Sequence, residues 1–565
     1  MPRLVVALSG PLGSGKSELA TGLSGRFGTL TFSSSGYLRS LGASARPGQQ
    51  ALGDDLDRGG SQWLADSVAS WLQQQAAPED AVVVVDAIRR EGQVKALRQG
   101  FGTRVLHLHL SARPDVLEAR YQARAKARGG DADFALARAH ATEAQVEDLA
   151  RIADVMIDTS RADAEDVLAI AGHRLGLYAR ATDRLVDVLV GGQYGSEGKG
   201  NVVSYLAREY ALLVRAGGPN AGHKIREAVR AGHPTRVIDD EDEPGDVYTH
   251  HHLPSGTRTS NAQILIAPGA VLRLDTFLQE VHDCGLDVDR LAIDPYALLI
   301  EPDVDVPAEA TLAERIGSTA QGVGAAAARR IMARGSSIRF AKDEPTLRPY
   351  TRRWAVDVLE ATFRSGGRVL LEGTQGAGLS IWHGAYPYVT SRDTTVAGTC
   401  AEAGIAPGRV RRVVMTCRTY PIRVQSPEDG WSGPLRWRPD LEGPTLWADA
   451  SRAGEFELTE IARRSGQELT KLQATEITST TKRRRRIGEF DWAWLHRTSQ
   501  LNAPTDVALT FADYLGAANR KARRFDQLTD DTIRFVNQVE AVAEAPVSLI
   551  STGFSQQRII DRRTW

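Results

Sequence analysis

Cysteine, long apolar runs and an excess of either charge are all missing from this sequence. The three cysteines, Cys284, Cys400 and Cys417, show no paired close spacing, which argues against a disulfide scaffold or a cysteine-based zinc site. No apolar run approaches the roughly 20 residues that span a bilayer. The start of the chain has too short an apolar stretch for a signal peptide. These absences favour a cytoplasmic protein with no membrane partner.

The charge balance restricts the partners of the chain. The 69 basic and 70 acidic residues give a formal net charge of −1. A chain this balanced is not suited to coating nucleic acid, so we expect no nucleic-acid partner. Apolar residues make up 42% and charged residues 25%, the balance of a globular protein with a sizeable core. A length of 565 residues predicts two or three domains.

Short apolar runs alternate with helical patterns over about the first 175 residues. The runs are Leu4–Leu8, Ala81–Val85, Val105–Leu110 and Val155–Ile157, and the clearest helical patterns are Gly60–Gln75 and Pro114–Ala127. Strands spaced by helices predict βαβ units and a parallel sheet. A second apolar strand running into glycines begins at Leu185, so we expect one domain over 1–175, a linker over 176–184 and a second domain over 185–565. The predicted fold class is α/β in both domains.

The first glycine loop matches G-x-x-x-x-G-K-[ST] in full, between a predicted strand and a predicted helix. Glycines let backbone N–H groups surround phosphate oxygens, and the following helix adds a favourable dipole. Lys16 is expected to reach the phosphates and the Ser17 hydroxyl to ligate Mg²⁺. Asp86 ends the valine-rich strand, where an acid can face phosphate and metal. The predicted nucleotide site comprises Gly10, Gly13, Ser14, Gly15, Lys16, Ser17 and Asp86.

Several arginines of this first domain are candidates for further phosphate contacts. They are Arg89, Arg90, Arg120, Arg124 and Arg128. The last three recur every four residues and share one helix face, which is equally typical of a solvated surface. With the motif above, the stretch Val85–Arg89 resembles nucleoside-monophosphate kinases of the P-loop superfamily. The phosphate acceptor of this domain stays open.

Six motifs follow one another in the second domain. They are GQYGSEGKG at 192–200, GGPNAGH at 217–223, EGTQG at 372–376, HGAYPYVTS at 383–391, TTKRRRR at 480–486 and STG at 551–553. In this order they resemble the adenylosuccinate synthetase family over roughly residues 183–565. The resemblance implies a Mg²⁺-dependent homodimer that joins L-aspartate to C6 of a purine nucleoside monophosphate. It also implies that a nucleoside triphosphate, GTP in the family, first phosphorylates the 6-oxygen.

The resemblance implies a role for each matching residue. His223 is the general acid at the 6-oxygen, Lys199 stabilises the transferring phosphoryl group, Gln375 holds the 6-oxygen side of the purine, and the Gly222 carbonyl is a Mg²⁺ ligand. The purine nucleotide further contacts Asn220, Thr319, Thr390 and an arginine that falls near Arg334. The aspartate site comprises Val424, Thr480, Thr481, Arg483 and Arg485. The triphosphate site comprises Gly195, Glu197, Gly198, Lys199, Gly200, Asp513, Ser551, Thr552 and Gly553.

Ser196 stands where the family has an aspartate that is both the base for N1 and a metal ligand. An unactivated hydroxyl cannot be the resting base, because its pKa lies far above working pH. A small neutral residue leaves room for an exocyclic 2-amino group, and the same change is typical of viral 2-aminoadenylosuccinate synthetases, which use dGMP. The alternatives are ordinary use of IMP with GTP and a catalytically dead nucleotide sensor.

Other departures leave the phosphoryl donor open between GTP and ATP. Phe511 replaces a lysine beside the base, and Phe554 replaces a proline after the last motif. Asn201 and Lys482 replace a lysine and a glycine in two of the loops. The triple His250–His252 is interpreted as structural, and the acidic run at 239–243 as a solvated loop.

Overall fold

The structure is a computed structural model that describes residues 1–43, 46–127, 133–138, 141–227, 236–237, 246–335, 338–425, 431–436, 454–477 and 483–565. It separates into two compact units, Met1–Ala179 and Arg180–Trp565. We call them the N-terminal and the C-terminal unit.

The N-terminal unit contains one five-stranded parallel sheet in the order β2-β3-β1-β4-β5. Its strands are β1 Leu4–Ser9, β2 Leu30–Ser33, β3 Val82–Ile88, β4 Val105–Ser111 and β5 Val155–Asp158. Its helices are α1 Lys16–Phe27, α2 Ser34–Ser40, α3 Arg46–Arg58, α4 Gln62–Gln74, α5 Glu91–Phe101, α6 Pro114–Ala127, α7 Phe134–Arg138, α8 Ala141–Asp148 and α9 Ala164–Arg174.

Apolar residues on both faces explain why these strands form the centre of a layered unit. Val5 and Val83 belong to one buried core, whereas Val6 and Val84 belong to a second core on the opposite face. Successive side chains of a strand point to opposite faces, so a continuous valine run can fill both cores. The edge strand β2 was not predicted, because four residues carry little periodic signal.

The C-terminal unit is built on a nine-stranded sheet in the order β13-β11-β7-β15-β6-β16-β20-β21-β22. Its neighbouring strands are parallel except for β22, which is antiparallel to β21. Smaller antiparallel sheets have the orders β8-β10-β9 and β17-β19-β18, and β12 pairs with β14. The predicted α/β class with mainly parallel sheets is confirmed, and the small antiparallel sheets are additions to it.

The bounds of these elements are as follows. The strands are β6 Val186–Gly191, β7 Leu212–Arg215, β8 His223–Glu227, β9 Arg236–Val237, β10 Asp246–His250, β11 Gln263–Ile266, β12 Val271–Leu272, β13 Leu291–Ile293, β14 Leu298–Leu299, β15 Val369–Glu372, β16 Val410–Arg418, β17 Ile422–Val424, β18 Glu455–Phe456, β19 Arg485–Gly488, β20 Asp506–Thr510, β21 Val547–Ser551 and β22 Ile559–Asp561. The helices are α10 Lys199–Leu206, α11 Leu274–Asp283, α12 Pro302–Ala308, α13 Ala310–Ile316, α14 Val323–Ala333, α15 Ala355–Arg364, α16 Val396–Ala403, α17 Leu458–Ser465, α18 Leu469–Thr475, α19 Trp492–Asn502 and α20 Asp530–Ala543.

Within the described ranges, no helix has both the length and the apolar character needed to cross a membrane.

Candidate active sites

The glycine loop of the N-terminal unit joins the end of β1 to the start of α1. Gly15 caps α1 in the left-handed region, at φ 92°, a conformation that glycine adopts without a steric penalty. Lys16 is the first residue of the helix and is buried, and its Nζ donates to the carbonyl oxygens of Gly10 at 2.7 Å and Pro11 at 2.9 Å. The loop is thus wrapped around the lysine, as a phosphate-binding loop requires.

Asp86 lies near the end of β3, the strand that pairs with β1. Its Oδ1 and the Oγ of Ser14 are both buried and make no hydrogen bond to the described residues. Ser17, at the exposed side of the first turn of α1, adds a third oxygen. Buried polar atoms normally have partners, so unsatisfied ones indicate a place for a ligand. Hydroxyl and carboxylate oxygens are the donors that Mg²⁺ prefers, and these residues therefore fit the ion.

The arginines proposed as phosphate contacts are mostly engaged within the N-terminal unit. Arg89 pairs with Glu143 at 2.7 Å. Arg90 pairs with Asp54 and, at 3.3 Å, with Asp57. Arg120 donates to the Thr159 hydroxyl at 2.9 Å. Arg124 is exposed, and Arg128 lies outside the described residues.

A buried serine and two histidines lie directly behind this loop and were not predicted. The Oγ of Ser9, the last residue of β1, is 2.7 Å from Nε2 of His107 and 2.8 Å from Nδ1 of His109. Burial lowers the pKa of His109 to about 4, with the positive charges of His107 and Lys16 acting in the same direction. Both histidines lie on β4, whose sequence predicted a strand but gave no role to them.

The second glycine loop, in the C-terminal unit, repeats the geometry of the first with an added acid. Gly198 caps α10 in the left-handed region, at φ 80°, and Lys199 begins the helix. Nζ of Lys199 lies 2.7 Å from Oε2 of Glu197, and both side chains are buried. Oε1 of Glu197 accepts from the backbone N–H groups of Gly195 at 2.8 Å and Gln193 at 3.0 Å. Glu197 therefore shapes the loop and holds the lysine within it.

His223, at the start of β8, bonds through Nδ1 to Glu372, the last residue of β15. Glu372 also accepts from Arg215 at 3.2 Å, from the backbone N–H of Ser255 at 2.7 Å and from its hydroxyl at 2.6 Å. Burial opposes ionisation of Glu372, but Arg215, His223 and these bonds bring its pKa down to about 2. Burial and then Arg215 lower the pKa of His223 to about 4. The imidazole is thus neutral at pH 7 and is oriented by an ionised carboxylate.

Four of the residues predicted to contact the purine nucleotide have buried polar atoms that make no hydrogen bond to any described residue. These atoms are Nε2 of His223, Oε1 of Gln375, Oδ1 of Asn220 and Oγ1 of Thr319. Buried polar atoms normally have partners, so these four atoms are able to bond to a polar ligand. Gln375 is held at φ 61° and donates through Nε2 to the Thr390 hydroxyl at 2.9 Å. Such strained backbone is common at binding sites.

The second glycine loop lies against two of these residues, His223 and Gln375. A Cβ added at Gly200 would lie 3.2 Å from Cβ of His223, and one at Gly195 would lie 3.2 Å from Cα of Gln375. The loop, the imidazole and the amide therefore border one site. Asn201, in the first turn of α10, also has a buried Oδ1 with no partner among the described residues. Ser196 is half-buried, and its carbonyl oxygen accepts from Nη1 of Arg418 at 3.4 Å.

Two of the residues predicted to bind aspartate lie on a small antiparallel sheet. Val424 on β17 is paired in register with Arg485 on β19. Nη1 of Arg485 lies 2.9 Å from Oε2 of the buried Glu476. Arg483 is half-buried just before β19. Thr480 and Thr481, and with them Lys482, lie outside the described residues.

The residues predicted to bind the base of the triphosphate follow two neighbouring strands, β20 and β21. Oδ2 of Asp513 accepts from Nε2 of Gln467 at 3.2 Å. Phe511 has φ 58°, an uncommon conformation for an aromatic residue. At the end of β21, the Ser551 hydroxyl donates to the carbonyl of Gly553 at 2.8 Å, and the Thr552 N–H donates to the carbonyl of Arg558 at 2.9 Å. The parallel register thus brings both segments to one edge of the sheet.

Three predicted features remain to be placed, namely Arg334, the histidines at 250–252 and the acidic run at 239–243. Arg334 is exposed and ends α14 in the left-handed region. His250 and His252 are buried, and the described residues hold no cluster of three or more His, Cys, Asp or Glu suited to a metal. The acidic run at 239–243 falls outside the described residues. For the C-terminal unit the Gly222 carbonyl stays the predicted Mg²⁺ ligand, and a carbonyl oxygen is a donor of the kind that this ion accepts.

No role was assigned from the sequence to the residues that support the site, namely Arg215, Ser255, Glu372, Arg418 and Glu476, although Glu372 is the first residue of the EGTQG motif. One signal was available, since Arg215, Glu372 and Arg418 each end an apolar strand of a parallel sheet. Charged residues at the carboxyl ends of such strands meet at the ligand-binding edge. Ser255 and Glu476 carry no comparable signal.

The two glycine loops, each with a buried lysine after a left-handed glycine, define an α/β protein with two nucleotide-phosphate sites. A family model described as adenylosuccinate synthetase matches residues 188–353 and 339–520. A model described as AAA domain matches residues 5–151. The chain belongs to the adenylosuccinate synthetase family and carries an N-terminal P-loop kinase-like domain.

Individual relatives match the C-terminal unit nearly over their full length. The adenylosuccinate synthetase of Archaeoglobus fulgidus is 33% identical over 382 residues, which are 66% of this chain and 98% of that relative. A structure of cyanophage S-2L succinoaminodeoxyadenylate synthetase (PurZ), bound to dGMP and to dATP as an energy donor, is 28% identical at a TM-score of 0.53 and covers 68% of this chain and 96% of that one. The Plasmodium falciparum adenylosuccinate synthetase, at 19% identity, a TM-score of 0.52 and coverage of 67% and 100%, shows the same fold.

Proposed function

We propose that the C-terminal unit joins L-aspartate to C6 of GMP or dGMP and so forms a 2-amino-N6-succinyladenine nucleotide. The observation that carries the choice of acceptor is Ser196, a small neutral residue in the glycine loop where the family has an acid. The similarity to a synthetase described with bound dGMP supports the same choice. The names of the curated relatives favour a second candidate, ordinary adenylosuccinate synthesis from IMP.

The reaction requires the 6-oxygen to become a leaving group. The 6-oxygen attacks the terminal phosphorus of a nucleoside triphosphate, the bond to the diphosphate breaks, and the N1 proton passes to water, because Ser196 cannot accept it. The aspartate amine then attacks C6, loses a proton, and phosphate departs with the former 6-oxygen. Enzymes assist such steps chiefly by positioning and by stabilising charge.

The residues of the site are suited to these steps. Lys199, held by Glu197, lies in the loop that would surround the transferring phosphoryl group. Nε2 of His223 and Oε1 of Gln375 are buried and make no hydrogen bond to any described residue, so both atoms can bond to the purine or its 6-oxygen. His223 is neutral when the site is empty, so a proton that it gives to the 6-oxygen must arrive when the anionic substrates bind. We assign Arg483 and Arg485 to the carboxylates of aspartate, because a guanidinium offers paired donors to a carboxylate.

Magnesium fits both units through oxygen donors. The Gly222 carbonyl would hold the ion in the ligase site, and Ser17 and Asp86 would hold it in the N-terminal unit. When bound, Mg²⁺ would neutralise charge on the transferring phosphoryl group. With Ser196 neutral, the ligase supplies one carboxylate fewer than the family pattern, so more of the coordination falls to substrate phosphates.

Ser196 affects both the removal of the N1 proton and the choice of the purine base. Its hydroxyl cannot act as the resting base for N1. A side chain shorter than aspartate and without charge leaves space beside the N1/C2 edge, where guanine carries its 2-amino group. The donor is ATP or GTP, with Phe511 in the place of the family's lysine as the argument for ATP.

We further propose that the N-terminal unit is a nucleotide kinase that serves the same pathway of nucleotide synthesis. Its support is the P-loop, with Lys16 and Ser17 in the first turn of α1 and Asp86 near the end of β3, the strand that pairs with β1. We also extend the family's homodimer to this chain, with the exposed Arg334 available to a second copy.

The proposal is tested by presenting aspartate and ATP or GTP with IMP, GMP or dGMP as acceptor. Phosphate release and the mass of the product are measured for each acceptor. We expect turnover with GMP or dGMP and little with IMP, and Ser196→Asp is the matched variant, which should shift turnover towards IMP. Turnover of IMP alone by the wild-type protein would contradict the guanine-type assignment.

A further inference from the structure

We propose that Glu476 is a positioning residue that fixes Arg485 for the aspartate substrate and joins it, through Arg418, to the phosphoryl-donor side of the site. This inference rests on the proposed ligase function. It goes beyond that function because Glu476 and Arg418 match none of the motifs that identified the family.

Glu476 directly follows α18 and is buried, and its carboxylate is shared by three side chains. Oε2 lies 2.9 Å from Nη1 of Arg485. Oε1 accepts from Nη2 of Arg418 at 2.7 Å and from the hydroxyl of Tyr514 at 2.7 Å. Charge-assisted bonds of this kind fix the direction of a planar guanidinium. One carboxylate thus orients two arginines at once.

The bond to Glu476 leaves part of the Arg485 guanidinium open. Its Nε is buried and makes no hydrogen bond within the described part of the chain. Since Nη1 is held by Glu476, the remaining N–H groups have a fixed direction and can meet a carboxylate as a pair. A buried donor without a partner is the expected state of a binding residue before its ligand arrives.

Arg418 carries the link from Glu476 to the donor side of the site. Its side chain is 1% exposed, and its guanidinium carbon lies 3.9 Å above the centre of the Phe511 ring. Nη1 lies 3.4 Å from the carbonyl oxygen of Ser196. The backbone of Arg418 exchanges two hydrogen bonds of 3.0 Å with the side chain of Gln193, at the start of the same loop. The network therefore contacts the second glycine loop, Phe511 in the segment predicted to bind the base of the triphosphate, and Arg485 of the predicted aspartate site.

The charges of this cluster also point to an anionic ligand. The buried Arg418 and the half-buried Arg485 share the single negative charge of Glu476. A buried excess of positive charge is costly unless a counter-ion is supplied. A substrate carboxylate bonded to Arg485 supplies that charge, and the phosphates of the donor lie on the side of the glycine loop.

The test is Glu476→Gln, which keeps the shape of the side chain and removes its charge. We expect the KM for aspartate to rise about 10- to 100-fold, because Arg485 loses its fixed direction. We expect kcat to change much less, and the KM for the triphosphate to rise as well, since Arg418 is released. Glu476→Asp should recover part of the aspartate affinity.

The matched control is Glu455→Gln, because Glu455 pairs with Arg486, the next residue on the same strand β19. This control should leave the aspartate KM unchanged. Equal effects of the two variants, or a fall in kcat alone for Glu476→Gln, would overturn the positioning role. Should Glu476→Gln fail to fold, Tyr514→Phe removes one bond to the same carboxylate and should still raise the aspartate KM, whereas no rise would overturn the role.

Turnover by the wild-type protein distinguishes a failure of the proposed ligase function from a failure of the proposed role of Glu476. Wild-type turnover with an unaffected Glu476→Gln variant would leave the proposed function intact and defeat this inference alone. Absence of any aspartate-dependent turnover in the wild-type protein would defeat both.

Discussion

The carboxylate of Glu372 accepts a hydrogen bond from Nδ1 of His223, although the two residues lie 149 positions apart in the sequence. This bond fixes the tautomer in which Nδ1 carries a proton and Nε2 faces the site. The same carboxylate stabilises the imidazolium whenever Nε2 is protonated, so a substrate-induced proton has a place to reside. A histidine and a carboxylate arranged in this way form a general acid–base pair.

Replacement of Glu372 with Gln is expected to reduce ligase kcat by about 10²- to 10⁴-fold, because the imidazole loses both its orientation and its counter-charge. Steady-state kinetics with saturating substrates measures the effect. Ser255→Ala removes only one donor to Glu372 and should reduce kcat much less. An unchanged kcat for Glu372→Gln would show that His223 acts without this partner.

Acid is expected to destabilise the protein through its buried neutral histidines. Burial, the largest cause, lowers the pKa of His109 and His223 to about 4 and that of His250 to about 3. The unfolded chain binds protons as the pH falls through about 6.5, while the folded chain does so only near pH 4 or below. The free energy of unfolding should therefore be independent of these groups above pH 6.5 and fall below it, by about 1.4 kcal/mol per histidine and pH unit.

Chemical denaturation at pH 7 and pH 5 measures this dependence. The variant His250→Gln is the comparison, because His250 is fully buried and is not itself a predicted substrate contact, although it pairs with His223 across β8 and β10. It should lose less stability between the two pH values than the wild-type protein, whatever its stability at pH 7. Equal losses would mean that His250 takes up its proton in the folded state at an ordinary pH.

Separate lysines are expected to serve the two units. Lys16→Ala should abolish phosphoryl transfer by the N-terminal unit and leave ligation unchanged, because the residue lies within the first loop. Lys199→Ala should have the opposite effect, and it also leaves Glu197 without its buried cation. Nucleotide-kinase and ligase assays of both variants measure the two activities. Loss of both activities in either variant would contradict independent sites.

Arg483 is expected to contribute to the binding of aspartate and little to the binding of the purine nucleotide. Arg483→Ala should weaken aspartate binding by about 2–4 kcal/mol, as expected when a buried charge pair is broken. The aspartate KM, measured at saturating nucleotide, should rise accordingly, while the KM for the purine nucleotide should change little. An unaltered dependence on aspartate would remove Arg483 from that site.

Local sequence signals were sufficient for the main layers of the fold. Valine runs such as Val82–Val85 predicted parallel strands, and helix α6 begins and ends at the residues expected from its pattern. The short edge strand Leu30–Ser33 was missed because four residues do not establish a period. The run Val105–Leu110 predicted a strand, but nothing in it predicted that His107 and His109 would both bond to the buried Ser9.

The motifs predicted which residues could meet substrates, but not which residues hold them in place. His223 and Gln375 stand out because each lies in a glycine-rich motif. Their support depends on contacts between distant segments, such as Glu372 with His223 and Glu476 with Arg418. Contacts of this kind depend on strand order. The sequence therefore does not show the partner of a glutamate, whether the residue lies in a motif, as Glu372 does, or outside every motif, as Glu476 does.

The most direct test of the whole account follows the 6-oxygen of the acceptor. GMP or dGMP labelled with ¹⁸O at the 6-position is incubated with aspartate and triphosphate, and the released phosphate is examined by mass spectrometry. The account predicts that each turnover transfers one labelled oxygen to phosphate and leaves a succinylated purine without the label. Phosphate released without the label, or nucleotide that retains it, would contradict a reaction through the 6-phosphoryl intermediate.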